Sequence, residues 1–129
     1  MYPSEINVFG GTFDNAEAAF QSQKKPSMSK EFEGISGSSA RKKGRSVKLD
    51  SNEIADWDRR KVSVMEEIVR SKFDQNKDLA QRLIETDDED LVEINSWGDT
   101  FWGVDSRTGN GSNELGKILK RVKNDLIKE

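Results

Sequence analysis

Glu17, Gln21 and Lys24 are the residues in this chain whose types and spacing most readily suggest chemistry. They stand at i, i+4 and i+7 of a predicted helix, so all three project from one side of it, beside the apolar Ala16, Ala19 and Phe20. Two helical turns separate Glu17 from Lys24, roughly 10.5 Å along the axis, which is too far for an ordinary intrahelical ion pair but wide enough to seat a ligand. A carboxylate so placed could act as general base or steady a sugar cation, and a partly buried amine could attack a carbonyl. The same spacing also describes a solvated helix edge, because Glu and Lys are common surface residues.

Composition narrows the chemistry. Among 129 residues there is no cysteine and no histidine. Disulfides, thiolate nucleophiles, Cys-ligated metal centres, imidazole ligands and Ser-His-Asp or Cys-His triads are therefore excluded. Proton transfer is left to carboxylates, lysine, tyrosine or water. The 45 charged side chains nearly cancel to a formal charge of −3, which disfavours bulk duplex binding. Three Trp and six Phe supply material for a packed core. No apolar run is long enough for a membrane span and Met1-Tyr2-Pro3-Ser4 has no signal-peptide pattern, so the chain reads as a soluble cytoplasmic domain.

The elements that must position these residues form an α+β, mainly helical pattern: a short N-terminal hairpin and a few short strands packed with about five helices. Residues 6–14 (INVFGGTFD) read as two β-runs around Gly10-Gly11, which supplies the positive φ of a tight turn. Asn15 is the predicted N-cap of a first helix reaching about Lys24, and Pro26 stops it. Residues 27–45 read as irregular. The strongest helical periodicity runs from about Glu53 to Phe73 through Trp57, Met65 and Ile68. Asn76 opens another helix, strands are expected at 91–94 and 100–104, and Leu115, Ile118, Leu119, Val122 and Leu126 mark a last helix.

Other constellations are weaker. Gly111–Lys117 has the G-x-x-x-x-G-K spacing, but Ile118 replaces the Mg²⁺-binding hydroxyl and residues 113–119 already read as helix, so it is not a P-loop. Gly109, Gly111 and Asn113 could still offer backbone N–H groups to an anion, or serve as an ordinary cap. The basic run Arg41–Arg45, with Lys48, could hold a phosphate or form a solvated face. The acidic turn 87–90 lacks EF-hand spacing and reads as a solvated helix end. Trp97 and Trp102 flank Gly98-Asp99-Thr100-Phe101, where indoles and a carboxylate could meet a base.

Several segments together resemble one family. These are 40–47 (ARKKGRSV), Trp57 with Asp58 and Lys61, Lys72-Phe73, 79–86, 91–93, 99–103 (DTFWG) and 111–116 (GSNELG). In order and spacing they are similar to the YbiA-like family of the NADAR (NAD and ADP-ribose) superfamily of N-glycosidases. Residues 17–24, EAAFQSQK, resemble its first-helix motif, with Ala18 where that motif usually has histidine. The resemblance spans nearly the whole chain and implies one domain over residues 1–129, lacking the family's extreme N-terminal segment.

That resemblance implies hydrolysis of an N-ribosidic bond in a phosphorylated N-riboside. The substrate would be a ribosylamino-pyrimidine phosphate of riboflavin synthesis, or ADP-ribose on guanine, including ADP-ribosylated nucleic acid. By position it assigns Glu17, Lys24 and Asp99 to catalysis, and Gln21, Arg45, Trp57, Trp102, Gly103 and Asn113 to substrate binding. A carboxylate would stabilise positive charge at C1, or Lys24 would trap the opened sugar as a Schiff base; an indole would stack on the base and Arg45 would hold phosphate. No cofactor and no metal is implied. The contrasting expectation is a non-catalytic module that binds ADP-ribose or NAD.

Overall fold

In a computed structural model of the chain, residues 5–128 are described. They fall into two compact units, divided after Gln75. Among the described residues are five α-helices, two 3₁₀ segments and four short strands, as the mainly helical α+β reading expected.

The first unit opens with an antiparallel hairpin of β1 (Ile6–Val8) and β2 (Gly11–Phe13). Val8 pairs with Gly11, so the turn residues are Phe9 and Gly10, with φ of 55° and 73°. The turn therefore sits one residue earlier than the Gly10-Gly11 reading placed it. Gly11 is instead a strand residue, and a Cβ there would press on the Phe13 ring at 3.2 Å. The side chain of Gln75 extends the hairpin's edge: it accepts from Asn7 N at 3.0 Å and donates to Asn7 O at 2.9 Å.

Helix α1 (Ala16–Ser22) is capped as expected, Asn15 Oδ1 accepting from Ala18 N at 2.8 Å. It is buried along most of its length, which its run of alanines permits. A 3₁₀ segment, Pro26–Phe32, follows and anchors Phe32 in the core. The stretch expected to be irregular then contains a helix, α2 (Gly37–Ser46), capped by Ser36. Its sequence carries no strong apolar period, because only Ala40 and Gly44 are buried and neither is strongly apolar. Helix α3 (Ser51–Asp74) begins with a capping box between Asp50 and Glu53 and buries Trp57, Val64, Met65, Ile68 and Val69. Their recurrence matches the expected 3.6-residue period. It packs against α1 and β1.

The second unit pairs α4 (Lys77–Glu85) with α5 (Glu114–Lys128). Leu83 and Leu91 share its core with Ile118, Leu119 and Val122. The acidic turn is an exposed 3₁₀ segment, Asp88–Asp90, and Asp88 meets Lys123 Nζ at 2.9 Å. That hydrogen bond holds the Asp88 carboxyl below its usual range. The strands are shorter than expected: β3 (Ile94–Asn95) and β4 (Val104–Asp105), paired in parallel. Residues 99–102 cannot continue as strand, because Asp99 folds the chain back on itself there. No helix among the described residues is long and apolar enough to cross a membrane.

Candidate functional site

Within the first unit, the structure gathers Glu17, Gln21 and Lys24 against α2. Gln21 Nε2 donates to Glu17 Oε1 at 3.1 Å, one helical turn away. Arg41 of α2 approaches the same oxygen, its Nε at 3.9 Å. Helix α1 ends at Ser22, and Lys24 lies just beyond, its backbone N–H still bonded to Gln21 O at 3.2 Å. The Lys24 ammonium donates to the Gly44 carbonyl at 3.4 Å. Burial pushes the Lys24 amine below its ordinary value of 10.5; Glu17 pulls the other way and the positive charge of Arg45 reinforces the lowering. An amine of lowered pKa spends more time neutral, the form that acts as a nucleophile.

Gln21 is the least accessible of the three, at 8% exposure. Its Oε1 is buried with no hydrogen-bond partner among the described residues. Leaving such an acceptor unmet costs about 1–3 kcal/mol. The amide is seated where α2 has no side chain: a Cβ on Gly44 would fall 2.6 Å from Gln21 Cδ and 3.2 Å from Cγ. Glycine in a helix interior costs a further 0.5–1 kcal/mol or so relative to alanine. Two local costs thus meet at one contact, beside a carboxylate and a half-buried amine. Such concentrations mark functional sites more often than structural ones.

Arg45 is exposed on α2 and acts on Lys24 through charge. Trp57 is only 7% exposed, its ring 4.9 Å from that of Phe20, and the Arg60 guanidinium lies 5.5 Å from the indole centroid. The indole is thus packed in the core behind α1. Ala18 is fully buried, so the small residue fills core space there.

In the second unit, Asp99, Trp102, Gly103 and Asn113 belong to one hydrogen-bonded knot ahead of α5. Asp99 Oδ1 accepts from the backbone N–H groups of Phe101 and Trp102, both at 3.0 Å. The buried Asn95 clasps Asp99 from behind, its side chain accepting from Asp99 N at 2.9 Å and donating to Asp99 O at 2.8 Å. Gly103 lets two backbones meet, since a Cβ there would run into the Glu93 carbonyl. Asn113, at φ 51°, accepts from Glu93 N at 3.0 Å and donates to Leu91 O at 3.1 Å. Trp102 is half-buried, its ring edge-on to Phe101 at 4.8 Å, whereas Trp97 is 75% exposed.

Of the two readings open for the segment before α5, an anion site or an ordinary cap, the structure favours the cap. The N–H groups of Ser112, Asn113, Glu114 and Leu115 donate to the carbonyls of Thr100, Gly103, Phe101 and Trp102. The start of α5 is thereby capped by the chain itself, and those N–H groups are not open to an anion. Three contributions were not legible in the sequence. Arg41 stands out there only as part of the basic run, and its approach to Glu17 follows from α2 being a helix that faces α1. Gly44 looked like loop punctuation, and Asn95 was hidden inside an expected loop.

Comparison with known structures and families fits this architecture. The fold is that of the small helical α+β protein YbiA of Escherichia coli, whose NMR structure superposes with a TM-score of 0.79 at 30% identity, over 98% of this chain and 74% of that one. The NADAR domain model matches residues 2–127, and the chain belongs to the NADAR domain family. A riboflavin biosynthesis protein of Vibrio vulnificus is 37% identical over 98% of this chain, which spans 34% of that protein's length. The N-glycosidase YbiA of E. coli K12 is 32% identical over 96% of this chain and 77% of its own.

Proposed function

We propose that this chain is an N-glycosidase that cleaves the C1–N bond of a phosphorylated N-riboside. The observation that carries the reading is the Lys24 amine, kept below its ordinary pKa by burial and placed at the end of the helix that carries Glu17. Two relatives point the same way, one named an N-glycosidase and the other a riboflavin biosynthesis protein. Both names fit a substrate in which ribose C1 is joined to nitrogen. The candidates are a ribosylamino-pyrimidine phosphate and ADP-ribose on guanine, free or on nucleic acid.

In this reading the neutral Lys24 amine adds to C1. The C1–N bond electrons leave with the base nitrogen, which takes up a proton, and the ring oxygen departs as a hydroxyl, leaving a C1 iminium on Lys24. Water hydrolyses the iminium, returning the free amine and releasing the sugar as an aldehyde. Glu17 stabilises positive charge at C1 as the base departs. Arg45, exposed on α2, pairs with a substrate phosphate. Trp57 acts from the core, through Phe20 and α1. In the second unit the Asp99 knot fixes the segment that carries Trp102.

The test is turnover. The protein is incubated with each N-riboside and sugar release is followed, with borohydride added to trap the iminium. Sugar release with a trapped adduct, absent from Lys24→Ala, supports the reading. Release unaffected by Glu17→Gln or by Lys24→Ala refutes the site. Tight ADP-ribose binding with no release from either substrate favours a non-catalytic binding module instead.

A further inference from the structure

The helical glycine Gly44 has no conformational reason to be there. Its backbone is ordinary α-helix and it is not among the positive-φ positions. Its reason is spatial, because the Gln21 amide occupies the volume a Cβ would take. Gly44 also presents its carbonyl to Lys24 Nζ at 3.4 Å. One residue of α2 therefore meets both partners of Glu17's surroundings: the amide that holds the carboxylate and the amine that stands beyond it.

We propose that Gly44 is a positioning residue for the Glu17–Lys24 pair, its bare Cα seating the Gln21 amide against Glu17 while its carbonyl holds the Lys24 amine. This deepens the glycosidase reading and rests on it for its catalytic part. Gln21, on this view, is not a substrate ligand. It is almost fully buried, its Nε2 is committed to Glu17 at 3.1 Å, and its Oε1 is enclosed. Adding one methyl group at position 44 pushes the amide off its seat. Glu17 then loses its donor, and the carboxylate and amine no longer share one frame.

The experiment uses the whole chain and three variants: Gly44→Ala, Gln21→Ala and the double variant. Misplacing a reacting group by about 1 Å can cost on the order of 100-fold in rate, so Gly44→Ala should lower kcat by ~10- to 100-fold with KM nearly unchanged. Gln21→Ala should do the same. The double variant should be no worse than Gln21→Ala, because both changes act through one amide. Losses that multiply, or a folded Gly44→Ala retaining kcat within about two-fold, overturn the proposal.

A second arm needs no activity. The Gln21 side-chain amide protons, assigned by NMR from their absence in Gln21→Ala, should exchange slowly in the wild type and rapidly in Gly44→Ala. Slow exchange in both proteins overturns the seating; fast exchange in the wild type does so as well. If no N-riboside is turned over, the glycosidase reading falls and this arm still decides whether Gly44 seats the amide. If Gly44→Ala does not fold, the wild-type exchange and the kcat of Gln21→Ala decide it.

Discussion

The Lys24 ammonium rests 3.4 Å from the carbonyl oxygen of Gly44, a neutral acceptor for a charge that burial disfavours. Glu17 offsets part of that cost and Arg45 adds to it. The result is an amine held on a helix end in a state easier to deprotonate than a surface lysine.

This has a stability signature with a definite sign. The folded pKa of Lys24 lies below 10.5, so in the window between the two values the unfolded chain binds more protons. Stability contributed by this group therefore rises as pH climbs through that window, and the penalty is fully present below it. Lys24→Met should raise the melting temperature at pH 7, with the advantage shrinking as pH approaches 10.5. Lys72 is buried and shifted in the same direction, so only the difference between wild type and variant isolates Lys24. Melting curves at several pH values check it; a Lys24→Met protein less stable at every pH refutes it. Turnover, in the same variant, should be lost along with the borohydride-trapped adduct.

Asp99 separates two roles cleanly. Its Oδ1 holds the N–H groups of Phe101 and Trp102, a task an asparagine oxygen performs equally well. Asp99→Asn should keep stability within about 0.5 kcal/mol and kcat within roughly three-fold, whereas Asp99→Ala should cost about 1–2 kcal/mol. Urea denaturation and steady-state kinetics give both numbers. A stable Asp99→Asn with kcat reduced 100-fold would place the carboxylate's charge in the chemistry instead.

Much of this was legible in the residues, for reasons that can be named. Asn15, the long α3 and the apolar stripe of α5 carry strong local signals, a side-chain cap and a sustained 3.6-residue period. Helix α2 lacked them, since its inward face is Ala40 and Gly44. Without that helix the partners of Arg41 and Gly44 cannot be read, so the sequence shows Glu17, Gln21 and Lys24 on one side of α1 but not what they face. The turn at Phe9-Gly10 was misplaced because phenylalanine rarely adopts φ above zero, and the glycine pair next to it offered the easier reading. In the second unit the 100–104 segment has strand composition, and only the Asp99 side chain reveals the turn.

Gly103 is held to glycine by the backbone around it. A Cβ there would meet the Glu93 backbone carbonyl, which also receives Val104 N at 2.7 Å, and Asn95 Nδ2 stands at 3.0 Å. Backbone cannot swing aside as a side chain does. Gly103→Ala should therefore cost at least about 3 kcal/mol by overpacking and by breaking that hydrogen bond. The variant should show a lowered urea midpoint and fast exchange of the Val104 amide. An unchanged midpoint would mean that β4 can move away from Glu93.

Asn113 joins backbone strain to hydrogen bonding, which makes its variants separable. At φ 51° an alanine carries a left-handed penalty of about 1–2 kcal/mol that glycine avoids. Both variants lose the bonds to Glu93 N and Leu91 O, together worth about 2 kcal/mol. Asn113→Gly should then be destabilised by about 2 kcal/mol and Asn113→Ala by about 3 to 4. A Cβ on Gly116 would fall 2.6 Å from Asn113 Cγ and would also collide with the Leu91 backbone carbonyl. Gly116→Ala should therefore cost more than Asn113→Gly, because backbone as well as the amide must shift. At a temperature where all three variants stay folded, KM reports whether the amide also touches substrate. A KM unchanged in Asn113→Gly assigns the residue to the scaffold, and a rise of ten-fold or more assigns it to the substrate.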